Sequence, residues 1–238
     1  MTPFVFAPSM ALQETTLRGR RSKSALDMNS LQPLIDRIYQ YRPRRFAGSS
    51  LWFHSSVAIL LKTDRESGPC VLLIQRATRE GDPWSGHMAF PGGRLSPQDH
   101  FPLDAAIRET YEETGFDVLG KAYYVGQLSE VITRSHRWPG LMTVTPFVFR
   151  LKDTPIWALN HEVAEVVWVP LAFLTNFANR QQMTRKFLRI DWKLPCYFLA
   201  GRALFFKIPA ELGRNCFDDN HYSFFNFVSR HRLENFQN

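Results

Sequence analysis

The 238-residue chain is poor in cysteine: it has three, Cys70, Cys196 and Cys216, widely spaced and odd in number. That pattern fits neither a disulfide framework nor a cysteine-built zinc cluster, and it suits a reducing compartment. Long apolar runs are missing too. No uncharged apolar stretch reaches the roughly eighteen residues that a membrane-spanning helix needs, so a membrane is not expected as a partner. The first residues lack the basic start, apolar middle and small-residue cleavage site of a secretory signal. Arg18-Gly19-Arg20-Arg21-Ser22-Lys23-Ser24 has something of a transit peptide's composition, but Glu14 and Asp27 flank it. A cytoplasmic setting is the expectation, with organelle targeting left open. We find neither an internal repeat nor a low-complexity tract.

What is present points to a packed globule. The hydrophobic fraction is 45% and twenty residues are Phe, which argues against a mainly disordered chain. The net charge of +7 is unevenly divided. Residues 1–50 carry eight Lys/Arg against three Asp/Glu and residues 179–238 carry ten against five, so each flank contributes +5. Residues 51–178 carry eleven against fourteen, or −3. An acidic centre suits a divalent cation. The flanking charges form no stripe and read as solvated, which makes nucleic acid an unfavoured partner.

Four stretches follow. Residues 1–28 read as a loose arm without periodicity. Residues 29–50 hold one amphipathic helix, with Leu31, Leu34, Ile35, Ile38 and Tyr39 at helical spacing, Asn29 or Ser30 as N-cap and Pro43 beyond its end, then a linker. Residues 51–178 form the main domain. Its apolar runs Val57-Ala58-Ile59-Leu60-Leu61 and Val71-Leu72-Leu73-Ile74, separated by a turn at 64–69, predict two antiparallel strands buried on both faces. Further strands are expected over 122–131, 142–151 and 163–169. Residues 179–238 are an extension expected to pack on the core. Strands on both sides of one central helix predict an α+β fold with a mixed sheet.

That helix runs from Pro102 to Thr114. Proline suits a first helical position, Asp104 an N-terminal turn and Gly115 the residue past the end. At about 100° per residue, Leu103, Ala106, Ile107, Thr110 and Thr114 define the core face. Glu109, Glu112 and Glu113, at i, i+3 and i+4, share a neighbouring face, with Ala105 leaving room beside them. Like charges so spaced repel by about 0.2–0.5 kcal/mol per pair, and a bound dication offsets that. Such clusters also occur on solvated helices, so the context decides. Just upstream, Ala89-Phe90-Pro91-Gly92-Gly93-Arg94 breaks an apolar strand into a turn whose glycines let the backbone approach a metal or phosphate.

From Gly93 to Phe116 the sequence resembles the Nudix box, G-x5-E-x7-R-E-U-x-E-E-x-G-U, with U a bulky apolar residue. Gly93, Arg108, Glu109, Glu112, Glu113, Gly115 and Phe116 fit it. Asp99 stands where Glu is usual, Thr110 replaces the apolar residue, and one extra residue lies between Asp99 and Arg108. That extension is similar to the family's coenzyme A pyrophosphatase branch. So is the segment 72–93, in which Arg76, Ala77, Gly86, Phe90, Pro91, Gly92 and Gly93 agree with the branch signature, while Ile74 and Gly81 depart from it and Arg79 stands as a substitute for the missing arginine.

The resemblance implies an α/β/α sandwich and hydrolysis of a phosphoanhydride with Mg²⁺ or Mn²⁺ as cofactor. It implies metal ligation by Glu109, Glu112, Glu113 and the Gly93 carbonyl, with Arg108 orienting Glu109. Glu109 or Glu162 would act as base, which makes Arg108, Glu109, Glu113 and Glu162 the catalytic set. Arg76, Arg79, Phe90 and Gly92 would contact a small-molecule nucleotide substrate, with coenzyme A or an acyl derivative ahead of ADP-ribose, dinucleoside polyphosphates and capped RNA. His87, His100 and His136 are weak candidates. A non-catalytic nucleotide sensor is the other class, against which the retained glutamates argue. After Pro195-Cys196-Tyr197-Phe198 the chain departs from the branch's usual Trp-Gly-Leu-Thr segment, leaving the last helix, the pocket and a homodimer interface open.

Overall fold

The computed structural model of the protein describes residues 30–80, 85–134, 141–187, 190–199 and 202–205. The expectations for the arm 1–28, for Asn29, Gly81 and His136, and for 206–238 lie outside the described residues.

The two apolar runs form strands β1, Phe53–Asp64, and β2, Gly68–Arg76, paired antiparallel with Leu61 opposite Val71. Between them the Asp64 carboxylate accepts from the Glu66 and Ser67 amides, which closes the turn. β3, Met88–Ala89, lies on β2, and β4, Gly92–Arg94, lies on the first half of β1. β5, Ala122–Gln127, and β6, Val131–Arg134, pair antiparallel with β7, Leu141–Leu151. β7 runs parallel to β1, and β8, Val163–Pro170, runs antiparallel to β2. The result is the mixed eight-stranded sheet expected of an α+β protein.

Both faces of this sheet are covered, which explains the unbroken apolar runs. Ile59, Leu61, Val71, Leu73 and Val148 face one way, under helix α1, Gln32–Gln40, and the short helix α4, Leu171–Thr175. Ala58, Leu60, Leu72, Phe147 and Phe149 face the other, under helix α2, Pro102–Thr114, and the short α3, Val118–Lys121. This is an α/β/α sandwich. α1 buries Leu31, Ile35 and Ile38, each contributing roughly 1.5–3 kcal/mol, which holds a nine-residue helix that would be marginal alone. It starts one residue later than the sequence suggests: Leu31 is the N-cap, and the Ser30 hydroxyl instead accepts from the Gln32 amide. It ends at Gln40, before Pro43.

The strand expected over 122–131 is two strands. A register shift between Tyr124 and Gly126 turns Leu128 into the core, and Ser129 and Glu130 leave the ladder to hold residues 41–46. There Ser129 Oγ receives the Arg44 amide, the Arg44 carbonyl receives the Glu130 amide, and the Glu130 carboxylate receives the Phe46 amide. Beyond the sheet, β9, Arg180–Phe187, β10, Ile190–Leu199, and β11, Arg202–Phe205, make a three-stranded antiparallel sheet. Tyr197 of β10 packs on Phe173 with ring centres 6.0 Å apart.

Candidate metal centre

Helix α2 has the expected bounds, and the Asp104 carboxylate accepts from the His100 and Phe101 amides at its start. Its roll differs from the expected one. Ala105 is fully buried, as are Ala106, Thr110 and Thr114, whereas Leu103 and Ile107 are only partly buried. The helix is therefore turned so that part of its carboxylate face lies against the sheet.

This roll presses two glutamates onto β4. Glu113, 6% exposed, accepts from the Gly92 amide through Oε2 at 2.9 Å. Glu109 lies over Gly93, its carboxyl carbon 2.3 Å from where a Cβ of Gly93 would be. Gly92 has φ +150°, and a Cβ there would meet Ser56 O at 2.2 Å. The Gly-Gly pair is thus required twice over: Gly92 for close approach to β1, Gly93 for the carboxylate. Gly93→Ala is expected to displace the Glu109 carboxyl, a flexible group, while keeping the fold; calorimetric Mg²⁺ titration should show affinity reduced at least ~10-fold.

Glu112 is placed differently. Its side chain is half exposed and turned to Arg108, whose Nη1 donates to it at 3.2–3.3 Å and to Glu109 Oε1 at 2.9 Å. The same guanidinium donates through Nε and Nη2 to Asp99 at 3.1 and 2.9 Å and through Nη2 to the Arg94 carbonyl at 3.1 Å. The Asp99 side chain is 3% exposed and also accepts from the Ser96 amide and hydroxyl. These contacts hold its carboxyl well below the usual range, at about 2, with the Arg108 hydrogen bonds as the largest cause. Asp99 therefore anchors the arginine that reaches the helix carboxylates.

Burial has the opposite effect on the glutamates against β4. It raises Glu109 in spite of Arg108, and it pushes Glu113 up to about 8 in spite of the Gly92 amide. Arg76 favours the charged form of Glu113, while Glu109 and Glu162 oppose it, so all four groups share one electrostatic neighbourhood. Glu162, partly exposed, lies 3.5 Å from Arg79 Nη2, and its backbone carbonyl accepts from the Ala77 amide. Phe90 packs against the α1-side core. His87 is buried beside the β2 end, its carbonyl accepting from the Arg76 amide.

Among the described residues no three His, Cys, Asp or Glu side chains converge on a common point. The oxygens that Glu109, Glu113 and the Gly93 carbonyl would offer are of the hard type that suits Mg²⁺ or Mn²⁺. The Gly93 carbonyl also receives the Ser55 hydroxyl at 2.6 Å. Sequence reasoning passed over this serine and its neighbour Ser56. The available signal was two serines directly before the apolar run 57–61.

The site is thus a carboxylate helix laid over a Gly-Gly strand in an α/β/α sandwich. The model of the NUDIX domain matches residues 52–189, and the chain belongs to that family. It is 46% identical over 111 residues to an uncharacterized protein of Schizosaccharomyces pombe, C14C4.10c, covering 45% of this chain and 34% of that one. A probable nudix hydrolase of the same yeast, C6G9.05, is 37% identical over 171 residues, covering 70% and 56%. The mouse mitochondrial coenzyme A diphosphatase NUDT8 is 30% identical over 115 residues, covering 47% and 52%. The chain thus spans a third to a little over half of the length of these relatives.

Proposed function

We propose that the protein is a divalent-cation-dependent hydrolase of a phosphoanhydride bond in a nucleoside diphosphate derivative, and that coenzyme A or an acyl-coenzyme A is its substrate. The observation that carries the reading is the seating of two carboxylates of one helix on the Gly-Gly strand, Glu109 against Gly93 and Glu113 on the Gly92 amide. Mg²⁺ or Mn²⁺ would be held by Glu109, Glu113 and the Gly93 carbonyl, with Glu112 joining when it leaves Arg108. When bound, the cation polarises a phosphoryl oxygen and makes a water nucleophilic. Arg108, anchored on Asp99, keeps Glu109 in place. Arg76 and Arg79 are the groups that meet the substrate's phosphates, for which guanidinium geometry is suited. Glu162, outside the helix and next to Arg79, is the proton acceptor. Gly92 keeps β4 close under the carboxylates, while Phe90, just before it, packs into the core on the α1 side and braces the strand from behind.

The coenzyme A assignment rests on the signature residues Arg76, Ala77, Gly86 and Phe90 to Gly93, supported by the likeness to the mouse coenzyme A diphosphatase. Incubating the full chain with Mg²⁺ or Mn²⁺ and coenzyme A should yield 4′-phosphopantetheine and adenosine 3′,5′-bisphosphate. ADP-ribose, dinucleoside polyphosphates and capped RNA serve as competitors. Faster turnover of any of these would overturn the substrate assignment while leaving the hydrolase reading. Exposed Arg42, Arg44 and Arg45 favour capped RNA as the second reading. In that case replacing all three by Ala should weaken RNA turnover and flatten its salt dependence.

A further inference from the structure

On the α2 side of the sheet, Ser56 of β1 is 0% exposed and its hydroxyl has no hydrogen-bond partner among the described residues. An unmade buried hydrogen bond costs stability, so a hydroxyl kept in such a place calls for a reason. Its neighbours supply one. Ser56 is paired with Gly93 across the antiparallel ladder and, on its other side, with buried Thr145 in the parallel register to β7. Residues directly opposed in a ladder present their side chains on the same face. On that face the space beside Gly93 is taken by the Glu109 carboxyl, with Oε2 2.6 Å from the missing Cβ. Ser55 is already committed, donating to the Gly93 carbonyl at 2.6 Å. The nearby helix residues Ala105 and Ala106 are buried and offer no side-chain acceptor.

We propose that Ser56 is a positioning residue for Glu109. With Arg108 holding Oε1, the Ser56 hydroxyl donates to Oε2 as a cation draws the carboxylate against β4, and so fixes it over Gly93. The unpaired hydroxyl is thus a donor held ready for the cation-bound arrangement, in which Arg108 and Ser56 orient the same carboxylate from its two oxygens. This inference rests on the cation site proposed above.

The test uses the full chain and Mn²⁺ as probe, with calorimetry for affinity and thermal unfolding in chelator for stability. Ser56→Ala should weaken Mn²⁺ binding about 10-fold, the size typical of groups that orient a ligand. Its unfolding midpoint without cation should equal or exceed that of the wild type. Ser56→Cys, a weak donor of similar size, should fall between wild type and Ala in affinity. Unchanged affinity in Ser56→Ala overturns the proposal, and so does a loss of affinity matched by a loss of midpoint, which marks a purely structural serine. Wild-type protein that takes up no Mn²⁺ would instead remove the cation site itself.

Discussion

Replacing Glu113 by Gln is expected to lower cation-dependent turnover about 10³-fold or more while making the cation-free protein more stable above neutral pH. The first part follows from losing one of two carboxylates on β4 and the charge that meets the cation. The second follows from burial. Glu113 titrates near 8 in the folded protein against an ordinary value of 4.5. Between these values the unfolded chain has released a proton that the folded chain retains, so wild-type stability is full below about 4.5 and is lost as pH rises through about 8. Gln keeps an oxygen for the Gly92 amide and cannot ionise. Its advantage in chelator should be absent near pH 4.5 and reach roughly 1–3 kcal/mol above pH 8, a shift of several degrees in the unfolding midpoint. Cation binding reverses the ranking, because the cation must displace the proton. Wild-type affinity should therefore rise with pH up to about 8, approaching tenfold per unit, and calorimetry in buffers of different ionisation enthalpy should show proton release.

The second large effect is expected at Arg108. Its guanidinium joins Asp99, Glu109, Glu112 and the Arg94 carbonyl, and so ties the loop 95–101 and strand β4 to the helix. Lys retains the charge but not the fork that serves Asp99 through two nitrogens at once. Arg108→Lys should lower kcat about 10²-fold, and Arg108→Ala should in addition cost about 1–3 kcal/mol, because the Asp99 carboxylate keeps only its Ser96 contacts. The acid side of the stability profile checks the cause. Asp99 holds its pKa near 2, so its contribution is present above the ordinary 3.8 and is lost as pH falls toward 2. In Arg108→Ala that part of the acid transition should shrink to what the Ser96 amide and hydroxyl still hold.

Much of this arrangement was legible in the sequence because it is local. Pro102, Asp104 and Gly115 bound α2 by rules that concern adjacent backbone groups, and its ends lie where they predict. The runs at 57–61 and 71–74 predicted strands buried on both faces, and α1 and α2 cover them. The split of 122–131 was not legible in periodicity: Gly126 marks the bulge only as an isolated glycine in a strand, and the exit of Ser129 and Glu130 from the ladder depends on their distant partners Arg44 and Phe46. Nor was the roll of α2. Helical periodicity ranks Leu103 and Ile107 above Ala105, but only small Ala105 fits against the sheet, and the helix settles on it. That roll separates Glu112 from Glu109 and Glu113, a distinction that spacing along a helix does not contain. Asp99 read as a substitution for the usual Glu; in the fold its short side chain anchors Arg108 from beneath.

The central claim is that α2 and β4 together hold a divalent cation, and Mn²⁺ titration of the full chain at pH 8, followed by electron paramagnetic resonance, tests it most directly. The account predicts saturable binding to wild-type protein that is lost in Glu113→Gln and weakened in Gly93→Ala, with all three proteins folded. Equal binding by wild type and Glu113→Gln, or no saturable binding at all, would contradict it.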